Sequence, residues 1–273
     1  MTMLPSFETL ALSIENHVAQ VQLNRPDKAN AMNLPMWGEL QACFEYLSDA
    51  GDVRVIVLSG AGKHFCSGID LGMFSSLLDD AQAEPARKAE ALRRSILQLQ
   101  ANLSAIENCR KPVLAAIHGS CVGGGIDMVS CCDMRYCSED AKFSIKEIDV
   151  GMTADVGTLQ RLPHIIPQGV VRELAYTGRN MGADEAVRVG MVNHHYRDRD
   201  SLMNGVMEIA VEIASKSPLA IRGTKEMLVY TRDHSVADGL NYIATWNAGM
   251  LSAADVTAAV SARMENKLAE FDS

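Results

Sequence analysis

Short apolar runs alternate with longer amphipathic ones over about the first 195 residues, and this alternation constrains the fold more than any other feature. The runs 53–58 and 113–117 are short and apolar, which predicts two buried strands. Between them, apolar residues recur at steps of four and three from Leu92 to Ile106, which predicts a helix over 85–109. Strands that alternate with helices are typical of an α/β protein.

The N-terminal segment predicts a β-hairpin, because 10–14 and 19–23 alternate apolar and polar residues on either side of a turn at 15–17. The pattern changes after residue 195, and from Ser201 onward it is almost wholly helical. We predict further elements from local patterns and turn residues. They are helices at 35–50 and 124–132 and strands near 134–136, 142–145 and 191–195.

Two glycine-rich loops follow the predicted strands. The first glycine loop is Phe65-Cys66-Ser67-Gly68-Ile69-Asp70, and the second is Gly119-Ser120-Cys121-Val122-Gly123-Gly124-Gly125. Glycine lets the backbone approach a ligand closely, so one inward N–H from each loop would form a two-donor hole for an oxyanion. The second donor would lie at a helix N-terminus, where negative charge is favoured. Alternatively, both loops serve only to connect strands to helices.

Three acidic residues lie in apolar or glycine-rich stretches where a carboxylate has no packing value: Asp127, Glu147 and Asp155. A buried carboxylate costs free energy unless it is hydrogen-bonded, paired or protonated. Carboxyls that share one apolar pocket are driven to different pKa values, which supplies an acid and a base near neutral pH. The residues therefore predict proton-transfer catalysis, and structural ion pairing is the alternative.

Composition and missing motifs exclude several other functions. A net charge of −9 argues against nonspecific binding to nucleic acid or anionic membranes. The chain has no G-x-G-x-x-G, P-loop, H-E-x-x-H or G-x-S-x-G motif, so we expect no nucleotide, metal or serine-hydrolase site. Its seven cysteines form no C-x-x-C pair and lie mostly in apolar contexts, which predicts buried, unpaired side chains.

The predicted location is the cytoplasm. The first residues lack the basic and apolar regions of a signal peptide, the last are not Ser-Lys-Leu, and no apolar run is long enough to span a bilayer. Free cysteines also fit a reducing compartment.

Three stretches together resemble the crotonase, or enoyl-CoA hydratase/isomerase, superfamily. They are 24–32 with the sequence NRPDKANAM, the first glycine loop with Leu71, and 116–127, which contains the second glycine loop and Asp127. The resemblance covers nearly the whole chain in order. It implies a crotonase-like spiral of ββα units over 1–195 with the active site. It also implies a C-terminal helical region over 196–273 that covers the active site and forms a homotrimer, or a homohexamer as a dimer of trimers.

The resemblance also implies a substrate and its binding site. The substrate would be a coenzyme A thioester, so no separate cofactor is expected, and its carbonyl oxygen would lie between the N–H groups of Ile69 and Gly124. Coenzyme A would be held mostly by backbone contacts around 28–29 and 63–68. Lys28 is the candidate for its phosphates, with a solvated turn lysine as the alternative, and Arg25 and Lys267 are weaker candidates. The remaining substrate-binding candidates are Ala29, Ser67, Gly68 and Asp70. A helix over 72–95, including Met73, Phe74, Leu77 and Leu78, would line the acyl pocket, and ordinary core packing is the alternative explanation of these side chains.

The acids indicate the subclass. Hydratases have glutamates at the positions of Asp127 and Glu147, whereas this chain has an aspartate first and adds Asp155. The run 146–163 is similar to that of the Δ3,5-Δ2,4-dienoyl-CoA isomerases of unsaturated fatty-acid β-oxidation. This similarity implies that Glu147 removes a C2 proton, that protonated Asp155 delivers one at C6, and that Asp127 hydrogen-bonds to Glu147. The alternatives are an enoyl-CoA hydratase or another thioester isomerase, and a non-catalytic binding protein of the same fold.

Overall fold

The computed structural model describes residues 4–73 and 84–272. In these ranges the strands are β1 Leu10–Glu15, β2 Val18–Leu23, β3 Val55–Gly60, β4 Val113–Ile117, β5 Ser120–Val122, β6 Met134–Ser138, β7 Lys142–Ser144, β8 Met181–Gly182 and β9 His194–Tyr196. The helices are α1 Leu34–Asp49, α2 Pro85–Asn108, α3 Gly124–Ser130, α4 Thr158–Arg161, α5 Gln168–Thr177, α6 Ala183–Val189, α7 Arg199–Ala214, α8 Pro218–Arg232, α9 Val236–Met250 and α10 Ala253–Met264. Three short 3₁₀ helices are Pro26–Lys28, Glu147–Val150 and Leu162–His164.

A six-stranded sheet in the order β1-β2-β3-β4-β6-β9 forms the centre of the fold, and β5-β7-β8 form a smaller sheet. In the larger sheet only β1 and β2 are antiparallel, which confirms the predicted hairpin. Its turn consists of Asn16 and His17, whose φ angles of 50° and 63° are the left-handed values that a type I′ turn requires. The α/β prediction is confirmed.

Both faces of the central sheet are covered, and alternate residues of β3 show how. Ile56 and Leu58 belong to the core cluster that includes α1, whereas Val55 and Val57 pack with Leu202 and Val206 of α7. Side chains alternate between faces along a strand, so a strand buried on both faces reads as a continuous apolar run. The predicted strand at 53–58 is therefore confirmed, two residues further along.

Helix α2 agrees with the predicted helix, but its apolar stripe is buried only at one end. Its N-terminus is capped by the carboxylate of Glu84, which accepts hydrogen bonds from the N–H groups of Ala86 and Arg87 at 3.1 and 3.2 Å. Leu103 and Ile106 are fully buried, whereas Leu92 is 43% exposed.

The predicted acyl-pocket helix over 72–95 is only partly described. Of its named side chains, Met73 is buried, and Phe74, Leu77 and Leu78 lie outside the described residues. Residues 85–95 belong to α2.

The strand predicted at 191–195 lies at 194–196 instead. Met191 and Val192 are buried, but their N–H groups donate to the carbonyl of Ala186 in α6 rather than to a strand. Pairing with the sheet begins where the N–H of Asn193 donates to the carbonyl oxygen of Arg135 at 2.7 Å.

The four longer helices after residue 196 differ in what they contact. Helix α7 packs on the central sheet, whereas α9 and α10 bury few side chains within the subunit. The division of the chain at residue 195 stays a prediction. Among the described helices none combines the length and apolar character needed to cross a bilayer.

Candidate active site

The two glycine loops lie side by side and are joined by backbone hydrogen bonds. The N–H of Cys66 donates to the carbonyl of Ser120 at 2.9 Å, and the N–H of Val122 donates to the carbonyl of Cys66 at 3.0 Å. These bonds form a parallel bridge between Cys66 and Cys121. The second loop is thus partly a strand, β5, and the first loop pairs with it.

Glycine is required where the loops meet. Gly68 has a φ of 96° and Gly123 a φ of 50°, both in the left-handed region. A Cβ on Gly68 would lie 3.0 Å from the carbonyl oxygen of Val122 and 3.7 Å from the nitrogen of Gly124. Any side chain at Gly68 would therefore displace the second loop.

The structure brings together the two N–H groups predicted to bind an oxyanion. A Cβ on Gly124 would lie 3.8 Å from the nitrogen of Ile69, so the two amides are neighbours. Neither of these N–H groups donates a hydrogen bond to a described residue. Gly124 is the first residue of α3, so its N–H has no partner within the helix. Beside Ile69, the backbone bonds to Met32 are made by Gly68 and Asp70 and leave the N–H of Ile69 unused. Two adjacent unpaired donors are the arrangement that stabilises an oxyanion.

Glu147 lies directly against the second glycine loop, at the start of the 3₁₀ helix that follows β7. Its Oε1 would be 3.1 Å from a Cβ on Gly123, and no described residue donates a hydrogen bond to its buried Oε2. Burial, reinforced by the charge of Asp127, raises the pKa of Glu147 to about 7. A carboxyl with this pKa can act as a base at neutral pH.

Asp127 lies in the first turn of α3 and is fully buried. Its Oδ1 accepts hydrogen bonds from the N–H and the Oγ1 of Thr158, both at 2.7 Å. Burial raises its pKa to about 6, and the bonds from Thr158 act in the opposite direction. The predicted hydrogen bond between Asp127 and Glu147 is absent among the described residues, and the two carboxyls interact by charge.

Asp155 is half-buried in the segment before α4. Burial raises the pKa of its carboxyl. Its backbone carbonyl accepts a hydrogen bond from Nε2 of Gln100 at 2.6 Å, which ties the segment to α2. The site therefore contains three carboxyls whose pKa values are all raised, in agreement with the sequence-based expectation of acid–base chemistry.

Two contacts in this site were not predicted. Thr158 follows Asp155 and Gly157 in sequence, but nothing in the pattern assigns its side chain to Asp127. Arg161 of α4 forms ion pairs with Glu107 of α2 at 3.1 Å, and Arg232 of α8 binds the other oxygen of Glu107. Burial acts to raise the pKa of Glu107, but the hydrogen bonds and charges of the two arginines hold it below its usual value.

The predicted coenzyme A residues lie together at the edge of the first glycine loop. Lys28 is exposed, and Ala29, with a φ of 49°, accepts a hydrogen bond from the N–H of Ser67 at 3.0 Å. Asp70 is engaged otherwise: it accepts from the N–H of Gly72 and pairs with Arg25 at 3.0 Å, and both contacts lower its pKa. Asp70 and Arg25 are thus committed to each other.

Lys267, the third candidate for the phosphates, forms an exposed ion pair with Glu265 at 2.9 Å. All seven cysteines are buried and unpaired, as predicted. Burial raises the pKa of the Cys66 thiol to about 12, so this sulfur next to the hole stays protonated and unreactive.

Comparison with known proteins gives the family. A model of the enoyl-CoA hydratase/isomerase family matches residues 13–273. A mitochondrial Δ3,5-Δ2,4-dienoyl-CoA isomerase of Mus musculus is 51% identical over 257 residues, 93% of this chain and 79% of that protein. A peroxisomal one of Arabidopsis thaliana is 47% identical over 271 residues, 97% of this chain and 98% of that protein. A crystal structure of an enoyl-CoA hydratase from Bacillus anthracis superposes with a TM-score of 0.87 at 29% identity, over 97% and 99% of the two chains.

The chain therefore belongs to the enoyl-CoA hydratase/isomerase, or crotonase, family, and the predicted fold is confirmed. The predicted cytoplasmic location is wrong by the same comparison, because the mouse relative is named mitochondrial and the plant relative peroxisomal. Cysteine content describes the folded domain and not its cellular address, so it could not decide the location.

Proposed function

We propose that this protein is a Δ3,5-Δ2,4-dienoyl-CoA isomerase that acts in the β-oxidation of unsaturated fatty acids. The observation that carries the proposal is the third carboxyl, Asp155, which burial keeps at a raised pKa in the same site as Glu147 and Asp127. A reaction that moves two double bonds needs a proton acceptor and a proton donor at separate carbons. Relatives at about half identity carry this activity in their names.

The reaction begins at the thioester. Its carbonyl oxygen accepts hydrogen bonds from the N–H groups of Ile69 and Gly124, which stabilises negative charge on that oxygen and acidifies the C2 protons. Glu147 then removes one C2 proton, and the electron pair extends through the diene as a conjugated enolate. Because the pKa of Glu147 is raised to about 7, this carboxylate is a stronger base than an exposed glutamate.

Asp155 completes the isomerisation by donating its proton to C6. The double bonds then lie at C2 and C4, the thioester carbonyl is restored, and one proton has moved from substrate to Glu147 and another from Asp155 to product. Asp127 supplies negative charge beside Glu147. The groups titrate together, so the pH dependence of turnover belongs to the set rather than to one residue.

The proposed substrate is an acyl-CoA thioester, and contacts at the first glycine loop support where coenzyme A binds. The loop backbone from Ser67 to Gly68 is held against Ala29, and exposed Lys28 lies beside it for the phosphates. Asp70 shapes the loop through Arg25.

The proposed assembly is a homotrimer or a homohexamer formed through the C-terminal helices. Large apolar side chains of α8, α9 and the segment after α9 are exposed in the single subunit, among them Leu228, Leu240 and Leu251. Exposed apolar patches of this kind mark contacts between proteins.

Ultraviolet-monitored turnover of a 3,5-dienoyl-CoA tests the function. We expect the wild type to produce the absorbance of a conjugated 2,4-dienoyl thioester. We expect Glu147→Gln and Asp155→Asn each to lower kcat by about 10²- to 10⁴-fold, the usual contribution of a positioned acid or base. Hydration of a 2-enoyl-CoA without conjugation of the dienoyl substrate would show a hydratase instead, and full activity of Asp155→Asn would remove the proposed role of Asp155.

A further inference from the structure

Thr158 directs two hydrogen-bond donors at a single oxygen of Asp127. Its N–H and its hydroxyl both lie 2.7 Å from Oδ1, and Thr158 and Asp127 are 1% and 2% exposed. The N–H is fixed by the backbone at the start of α4, after Gly157 with its φ of 135°. A substitution at position 158 can therefore remove the hydroxyl donor but not the N–H donor.

This geometry favours one protonation state of Asp127. Hydrogen bonds donated to a carboxylate stabilise its charged form and are about twice as strong as those between neutral groups. Two donors on one oxygen therefore oppose the cost of burying the charge. Burial raises the pKa of Asp127 to about 6, and the bonds from Thr158 limit that rise.

Other titratable groups face Asp127 from every side. The two carboxyls Glu147 and Asp155 disfavour its charge, and Arg161 of α4 favours it. Arg161 is itself paired with Glu107 of α2, so its positive charge is partly compensated. The thiols that interact with Asp127 have raised pKa values and stay neutral: Cys66, Cys121 and Cys131. Among the described residues, Thr158 is the one uncharged side chain that donates to the Asp127 carboxyl.

We propose that Thr158 is a positioning residue for the isomerisation: its two hydrogen bonds keep Asp127 ionised beside Glu147. The inference rests on the proposed function, since it is Glu147 that removes the C2 proton. An ionised Asp127 keeps negative charge beside Glu147, which makes Glu147 the stronger base. Thr158 touches neither substrate nor reacting atoms and acts through Asp127 alone.

The test compares Thr158→Val, which keeps the shape and loses the hydroxyl, with Thr158→Ser, which keeps the hydroxyl. We expect Thr158→Val to move the acid limb of the kcat/KM profile to higher pH by about one unit and to lower kcat/KM near pH 7 about tenfold, because one hydrogen bond to a charged group is lost. We expect Thr158→Ser to keep the wild-type profile. An acid limb that stays in place or moves to lower pH in Thr158→Val overturns the proposal.

A double-mutant cycle separates this role from packing. In an Asp127→Asn background position 127 has no charge to hold, so adding Thr158→Val should cause no further shift of the acid limb. An equal shift in both backgrounds would show that Thr158 acts through something else. Thermal unfolding checks that each variant is folded at the assay temperature, and Thr158→Ala replaces Thr158→Val if the valine variant is not.

Infrared difference spectroscopy gives a readout that needs no turnover. Near pH 7 we expect Thr158→Val to gain the C=O stretch of a protonated carboxyl that is absent from Thr158→Val/Asp127→Asn. Absence of this band, with wild-type isomerase activity intact, overturns the inference and leaves the proposed function standing. If the wild type fails to isomerise the substrate, the proposed function falls, and the same band still decides the protonation of Asp127.

Discussion

The core helix α1 and the C-terminal helices α9 and α10 use their apolar residues in opposite ways. Helix α1 buries Trp37, Leu40 and Phe44 completely within the subunit. Helix α9 buries only Gly239 and α10 buries no residue, although both contain several apolar side chains. Burial of apolar area drives folding and association alike. The core therefore buries its apolar residues within one chain, whereas the C-terminal helices leave theirs exposed in the single subunit.

The proposed active site lies in the first of these regions, which buries its own apolar residues. The predicted oxyanion hole and the three carboxyls are contributed by segments between residues 66 and 158, all of them held by contacts inside one subunit. Ion pairs connect the two regions: Arg232 of α8 shares Glu107 with Arg161 of α4, and Lys225 of α8 pairs with Asp133 at 2.8 Å. The comparison thus separates changes that affect chemistry from changes that affect assembly.

The largest effect on the core side is expected from Gly68→Ala. A Cβ at this left-handed position would lie 3.0 Å from the Val122 carbonyl, so the hole would widen. We expect kcat to fall about 10²- to 10³-fold, as for loss of one oxyanion donor, with no change in the mass of the assembly. Steady-state kinetics and light scattering measure both.

Gly190→Ala is the matched control for this change. Gly190 has a similar left-handed φ of 83°, but a Cβ there would only approach the carbonyl oxygen of Ile165 at 3.6 Å. We expect Gly190→Ala to lower stability and to leave kcat unchanged. If it reduced kcat as much as Gly68→Ala does, general backbone strain rather than loss of the hole would explain both.

In the C-terminal region the corresponding test is a double variant, Leu228→Glu on α8 with Leu240→Glu on α9. Burying a leucine contributes about 1.5–3 kcal/mol, so charging two of them should weaken subunit association at least 100-fold. Analytical ultracentrifugation should show smaller species with the core folded. Leu34→Glu is the control, since Leu34 is equally exposed, at 68%, but lies on α1. A wild type that sediments as a monomer would refute the role assigned to these helices.

A smaller effect concerns stability and pH. The folded-state pKa of Glu147 is raised to about 7 from its usual 4.5, so between these values the folded protein binds more protons than the unfolded one. Stability from this group is therefore present at low pH and lost as pH rises through 7. We expect Glu147→Gln to increase the free energy of unfolding at pH 8 by about 1–2 kcal/mol, and by almost nothing at pH 4. Urea unfolding at both pH values checks this, and an equal gain at each would contradict it.

The smallest effect is expected from Lys28→Ala. Lys28 is exposed, and exposed charge pairs contribute less than about 1 kcal/mol, so KM for the thioester should rise only a few-fold with kcat unchanged. The rise should shrink at high salt, because screening weakens the contact. The change in KM is compared with that of Lys63→Ala, which lies in the same predicted coenzyme A region. A KM unchanged at every salt concentration would remove Lys28 from the binding site.

Most structural features that depend on residues close together in the sequence were predicted correctly. The hairpin followed from alternation around Asn16 and His17, and the double burial of β3 from its unbroken apolar run. The pairing of Ile69 with Gly124 followed from the family resemblance and from glycine-rich loops after two strands. These features are local, or repeat a pattern shared by related proteins.

Contacts between distant segments could not be predicted in the same way. Thr158 and Asp127 are 31 residues apart, and Glu107 and Arg232 are 125 apart. Asp70 of the first glycine loop pairs with Arg25, which is 45 residues away, and the sequence pattern did not indicate this contact. A hydrogen bond of this kind depends on the final positions of both segments, which no spacing rule encodes.

The parallel β-bridge between the backbones of Cys66 and Cys121 limits how the chemistry of the family can vary. Paired strands can change their register only by whole residues, about 3.3 Å at a time, so the distance between the two hole amides cannot be adjusted gradually. Side chains such as Asp127, Glu147 and Asp155 can be exchanged one at a time without moving that backbone. New reactions on this scaffold are therefore expected to arise by exchanging acids around an unchanged hole.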